Sequence, residues 1–230
     1  MKTNTSINGS GKIAQGEYDS IKISGSGTIE GPVNFETLNV SGSCNVQPDS
    51  TLEGTEMHIS GSIHSKSDIK VTTIHVSGSI HSEKDIKTHS LKISGSCHQQ
   101  GKIYADEICL SGSIKSSGEV NADWVEISGI ASLNDLFGEK ITFLAPGFDI
   151  FGFLRLARQR KLSTVKNIEC TTLEAACLQC DTISAENITL TNGCIVNHIQ
   201  CDGTLSYDNT CQIGTVEGSC TQNVLSLPGR

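Results

Sequence analysis

The sequence predicts an all-β chain wound as a parallel β-helix, a solenoid of about 17 residues per coil. Three observations carry this: an internal repeat, strand-like alternation inside it, and a core vocabulary poor in aromatics and rich in glycine. Seven segments begin at Ile21, Leu38, Met57, Ile74, Leu91, Ile108 and Val125, spaced 17, 19, 17, 17, 17 and 17 residues apart. The first six read apolar-x-apolar-Ser-Gly-Ser, and the seventh departs only at Ile130. Aromatic residues make up 4% of the chain against 23 glycines. Such a composition builds its core from many small equal increments, not from large rings.

Within the repeat, positions 1 and 3 are always apolar, and position 7 is Gly27, Cys44, Ile63, Ile80, Cys97, Ile114 and Ala131. Position 13 is Val33, Ile69, Ile86, Ile103 and Val120, with Leu52 displaced by a two-residue insertion. Alternate residues facing inward is strand periodicity. A unit this short has no room for a helix and a strand, but it suits three short strands with tight bends, each coil stacking on the next. Coils advance about 4.8 Å each, so the seven make a rod of roughly 34 Å. The invariant glycines Gly25, Gly42, Gly61, Gly78, Gly95, Gly112 and Gly129 mark the bend, where φ > 0 or a close backbone approach is required.

In chain order, residues 1–20 read as a leader carrying a partial coil, Ile7-Asn8-Gly9-Ser10, that weakly caps the solenoid. Residues 21–135 hold the seven coils. Residues 136–162 break the pattern as an insert containing Phe137, Phe143, Phe148, Phe151 and Phe153. Its end joins an apolar stretch (Phe148, Ile150, Phe151, Phe153, Leu154) to four cations (Arg155, Arg158, Arg160, Lys161), and its second half is compatible with a short helix. Residues 163–225 show an apolar residue about every five positions from Ile168 to Ile188. They read as further coils with a shifted corner, a separate pentapeptide-repeat-like helix being the competing assignment. Residues 226–230 form a tail, and Leu225-Ser226-Leu227-Pro228 could cap that end.

The formal charge of −8 argues against nucleic-acid binding, which needs a dense Lys/Arg face. The N-terminal residues lack the apolar core of a signal peptide, and no apolar run spans a bilayer, so a cytoplasmic chain with reduced thiols is expected. Cys177-x-x-Cys180 is the obvious metal seed, yet Cys44 and Cys97 sit where other coils place Ile, and Cys170, Cys180 and Cys201 alternate with apolar partners. Small core residues explain them better than zinc, which needs a second converging pair. Cys109 stands at the outward position 2 and reads as a partly exposed thiol.

His64, His81 and His98 share position 8, and His58 and His75 share position 2. These stacked imidazoles read either as a metal-binding or pH-responsive row or, more plainly, as a solvated product of duplication whose mutual repulsion lowers their pKa values. Asp68 and Asp85 recur at position 12 as corner residues, and no nucleophile elbow or phosphate loop is present. Neither an enzyme, a nucleotide-binding protein nor a cofactor carrier is indicated. The insert is the sharpest candidate surface: an apolar and cationic patch for a partner or anionic bilayer, or a cover folded over a solenoid edge.

The Ile/Leu-x-Ile/Val-Ser-Gly-Ser units from Ile21 to Ser113 resemble those of the bactofilins, bacterial polymer-forming cytoskeletal proteins. The likeness covers about 110 residues well and the C-terminal 60 loosely. It implies a right-handed triangular β-helix that assembles end to end, without nucleotide, into nonpolar filaments scaffolding envelope, shape or motility machinery. It further implies partnership with itself or a related bactofilin, at the inner face of the membrane. The interruption at 136–162 and the absence of an apolar N-terminal targeting stretch depart from that pattern. A module that does not polymerise and docks a protein through the 148–161 segment is the alternative.

Overall fold

The computed structural model describes residues 3–145 and 162–226. Among these there are twenty β-strands and no helix, joined in one sheet wound as a solenoid of about 12 turns. Every strand pairing is parallel, and where the repeat is intact partners lie 17 residues apart, as in Ile63 with Ile80 and Leu91 with Ile108. At about 4.8 Å per coil the rod is roughly 58 Å long.

The repeat positions become columns. Position 1 stacks Ile21, Leu38, Met57, Ile74, Leu91, Ile108 and Val125, then continues through Ile141, Leu173, Ile188 and Leu205. All eleven are buried. Each aliphatic side chain removed from water this way contributes about 1.5–3 kcal/mol before the entropy of ordering it. The two-residue insertion in the second coil is absorbed at a turn around Pro48 and Asp49, where Asp49 takes a left-handed φ of 61°. Phe35 and Gly54 show how columns trade volume: a Cβ on Gly54 would sit 2.4 Å from the Phe35 ring.

The solenoid reaches further at both ends than the strict repeat does. Thr3–Ile7 pairs with Ser10–Ile23, so Ile7-Asn8-Gly9-Ser10 is a true corner in a stacked coil. Leu136 to Phe143, read above as the opening of the insert, lie in the strand Ile130–Phe143, and Leu136, Ile141 and Phe143 are buried in the same columns as the repeat. The strand Ser163–Ala176 then pairs directly with Ile130–Phe143, so the C-terminal coils continue one solenoid and are not a separate pentapeptide-like unit. Partners there are 15 residues apart, as in Ile168 with Ile183 and Leu173 with Ile188. Three columns over 15 residues place an apolar residue every five, which accounts for the spacing in the sequence.

Candidate functional site

The bend glycines are fixed by crowding. A Cβ on Gly42, Gly61, Gly112 or Gly129 would lie 2.0 Å from the carbonyl oxygen of the corresponding glycine one coil earlier; at Gly78 and Gly95 the distance is 1.9 Å. Gly25 stands in the same relation to Gly9, at 2.0 Å. None of the seven lies in the left-handed region, so of the two reasons offered for glycine only close approach applies. The corner stays hydrogen-bonded while it bends: Ser41 N and Gly42 N both donate to Ile23 O, at 2.8 and 3.1 Å, and Ser43 N donates to Gly25 O at 2.9 Å. The stack therefore adds coils with its backbone polar groups satisfied.

At the C-terminal end that satisfaction stops among the described residues. Gln212–Glu217 and Thr221–Leu225 pair with Ile195–Asp208 on one side only. The columns that are sealed in the interior open here: Ile213 and Val216 are half-buried, and one column passes from buried Leu190 through half-buried Tyr207 to Val224, which is 66% exposed. A shallow groove runs along this end between Tyr207, Cys211, Ile213, Val216 and Gln222. At the opposite end Thr3–Ile7 has, among the described residues, a partner on one side only, with Ile7 8% exposed. The position 1 column closes on a polar residue at each end, Thr5 and Gln222.

The histidine rows exist as columns. His58 and His75 stack with centroids 5.1 Å apart, His81 and His98 at 4.7 Å and 7°, but His64 meets His81 edge-on at 4.7 Å and 74°. His64 Nε2 lies 2.9 Å from Glu83 Oε1. The His75 and His81 imidazoles titrate below the ordinary value of 6.5, chiefly through burial and then through repulsion from neighbours, His58 and Lys92 for the first and His64 and His98 for the second. Burial, which the repulsion expected from sequence leaves out, is thus the largest single cause. Glu83 escaped the sequence reading because it lies on a diagonal 19 residues from His64, off the 17-residue ladder.

All ten cysteines are free thiols. Cys44 and Cys97 fill their column between Gly27 and Ile63 and between Ile80 and Ile114, and burial pushes each thiol up to about 12. Cys180 and Cys201 are buried in columns and Cys170 is half-buried. Cys177 and Cys180 engage different carbonyls, Asn192 O at 3.3 Å and Thr182 O at 3.2 Å. Cys109 is half-buried and donates to Glu107 Oε1 at 3.2 Å; burial and that carboxylate raise it to about 11, so it is a poor nucleophile at neutral pH.

Asp68 and Asp85 do more at their corners than face water. Asp68 accepts from Asp85 N at 3.2 Å and Asp85 accepts from Lys102 N at 2.9 Å, each carboxylate tying its coil to the next. A groove lined by Gln15, Pro32, Asn34, Thr51 and Glu53 carries one carboxylate, already paired with Lys70 at 2.9 Å.

Phe148, Ile150, Phe151, Phe153, Leu154, Arg155, Arg158, Arg160 and Lys161, and the short helix expected near them, lie outside the described residues. Among the described residues no helix is long and apolar enough to cross a membrane. Comparison with protein-family models, with curated proteins and with solved structures finds no match.

Proposed function

We propose that this chain is a structural subunit that assembles end to end into a scaffold, as bactofilins do, without nucleotide. The observation that carries the reading is the open C-terminal coil. Among the described residues its strands have unpaired edges, and its column residues Ile213 and Val216 are only half-buried and Val224 exposed where most equivalent positions in the interior are sealed. An unpaired parallel edge over an exposed apolar column templates the addition of another coil. A second copy supplies one with the same spacing. The parallel solenoid fits the bactofilin resemblance, and on that resemblance rests the reading of a cytoplasmic scaffold for envelope, shape or motility machinery. The polar terminal residues Thr5 and Gln222 make the buried junction mixed, not wholly apolar.

The test is pelleting with negative-stain electron microscopy of the purified chain, without nucleotide, beside a Val224→Asp variant. The wild type is expected to form filaments or sheets. The variant, charged at an already exposed site, is expected to keep its far-UV β signal and stay in the supernatant. A wild-type monomer at high concentration would sink the reading and favour the docking module.

A further inference from the structure

The edge-on histidine at the start of the long row separates one place on the solenoid from its copies. His64 and His81 belong to Ser62–Ser65 and Ser79–Ser82, which pair in register. Two strands so paired hold their side chains side by side on rigid backbone, and the default for rings is to stack, as His81 and His98 do at 7°. His64 instead turns 74° from His81 and points Nε2 at Glu83 Oε1, 2.9 Å away. Glu83 stands two residues beyond His81, just past the end of its strand, and reaches diagonally back to the coil before. One ligand atom from each of the three lies within 4.8 Å of the others, and all three side chains are half-buried, accessible from solvent yet packed.

The same diagonal recurs on neighbouring coils with different chemistry. The next pair is His81 with Gln100, whose amide nitrogen lies 3.4 Å from His81 Nε2. One coil earlier the row holds Asn45 in place of histidine, and one coil after His98 it holds Lys115. The row follows the repeat, but along it only the diagonal from His64 to Glu83 joins imidazole to carboxylate among the described residues.

We propose that His64, His81 and Glu83 form a surface site for a divalent transition-metal ion of the zinc class, bound by two imidazoles and one carboxylate with water completing the shell. Zinc–nitrogen and zinc–oxygen bonds of about 2.0–2.2 Å place ligand atoms a little over 3 Å apart, a spacing that terminal side-chain torsions can reach from this arrangement. Imidazole with carboxylate suits zinc, nickel, cobalt or copper; magnesium and calcium demand oxygen ligands. Because the ligands come from two coils, the ion would staple them together, and binding to the folded state alone would raise the melting temperature.

The experiment is titration of the full chain, kept reduced, with Co²⁺ alone, read by visible absorption and by the melting temperature. The expected result is one equivalent bound with nitrogen and oxygen ligation, no thiolate charge-transfer band, and an upward shift in melting. His64→Asn and Glu83→Gln install the residues that neighbouring coils carry at Asn45 and Gln100, so each should fold normally by far-UV circular dichroism. Each is expected to weaken binding by more than the roughly 10–100-fold that loss of an outer-shell partner costs. His98→Asn is expected to leave binding unchanged. Absence of binding, a thiolate band, or binding that survives His64→Asn and Glu83→Gln would overturn the site. An equal loss with His98→Asn would overturn the ligand set in favour of the histidine row.

Discussion

The coils between Ile21 and Ile130 and those after Ser163 build one continuous stack of columns by different means, and the contrast is clearest at one corner. In the first region the chain leaves the position 3 column through Ser-Gly-Ser and enters the position 7 column, with glycine demanded by a carbonyl about 2 Å from where its Cβ would be. In the second region that corner is Ala176-Cys177, then Thr191-Asn192-Gly193, then Asp208-Asn209-Thr210. Cys177 and Asn192 both take φ 56° and Gly193 takes 80°, so the turn is made by left-handed backbone where the first region uses close approach. Side chains supply the hydrogen bonds that the backbone supplied before: Asn192 N donates to Asp208 Oδ2 and Gly193 N donates to Thr210 Oγ1, each at 2.8 Å. What the solenoid requires is unbroken columns; the corner chemistry is free to change as long as backbone groups find partners.

The largest expected effect lies in the crowded corner. Gly78→Ala places a methyl against Gly61 O at 1.9 Å, and the coils cannot separate without breaking their ladder. A loss of about 3–4 kcal/mol, near the upper end for single substitutions, is expected in urea unfolding. A loss under about 1 kcal/mol would mean that the coils part easily.

Asp208 comes next. It is fully buried and also accepts from Thr210 N at 2.8 Å and Thr210 Oγ1 at 2.5 Å. Burial works to raise its pKa, but the hydrogen bonds from Thr210 and Asn192 outweigh it and hold the carboxyl below 3.8. Asp208→Ala should cost about 1–3 kcal/mol through the orphaned donors. The wild type's share of stability from this group is present above the ordinary carboxylate value and is lost as pH falls through the lowered one. An acid-unfolding midpoint shared by wild type and variant would contradict that linkage.

Gly193→Ala should cost only about 1–2 kcal/mol. The added Cβ meets nothing within 4 Å, and the penalty is the left-handed φ alone. Parity with Gly78→Ala would erase the distinction between the two corners.

The smallest effect is His75. Its folded-state pKa is depressed below 6.5, by burial first, then His58 and Lys92, against the opposing pull of Glu56. The unfolded chain therefore takes up the proton first, so stability is full above 6.5 and declines as pH falls through the folded value. His75→Asn, which copies Asn39 two coils earlier, should flatten the slope of melting temperature against pH in that window. An unchanged slope would remove His75 as its source.

The columns were legible in the sequence because side-chain alternation and a fixed repeat determine which residues face inward, and Ile21, Ile23, Ile63, Ile69 and their equivalents are all buried. The reason for the bend glycines was half legible: sequence marks the residue, but only stacking shows which carbonyl it approaches. The C-terminal period was hidden because a spacing of ten in a 15-residue coil moves to a different column at each step, so Ile168, Leu178 and Ile188 aligned although each belongs to a different one of the three columns. Leu136 to Phe143 looked foreign because aromatic residues there replace the usual aliphatics, although Phe143 serves the same column as Ile127. Glu83 and Asp208 were invisible to the repeat because each acts across coils through a side chain, at offsets that the ladder does not share.

Fibre diffraction or cryo-electron microscopy of assembled protein separates end-to-end stacking from every other mode of association. End-to-end stacking predicts filaments in which the strand spacing of about 4.8 Å runs along the filament axis without interruption at subunit junctions, roughly 58 Å apart. Monodisperse single solenoids, or filaments with that spacing perpendicular to the axis, would contradict it.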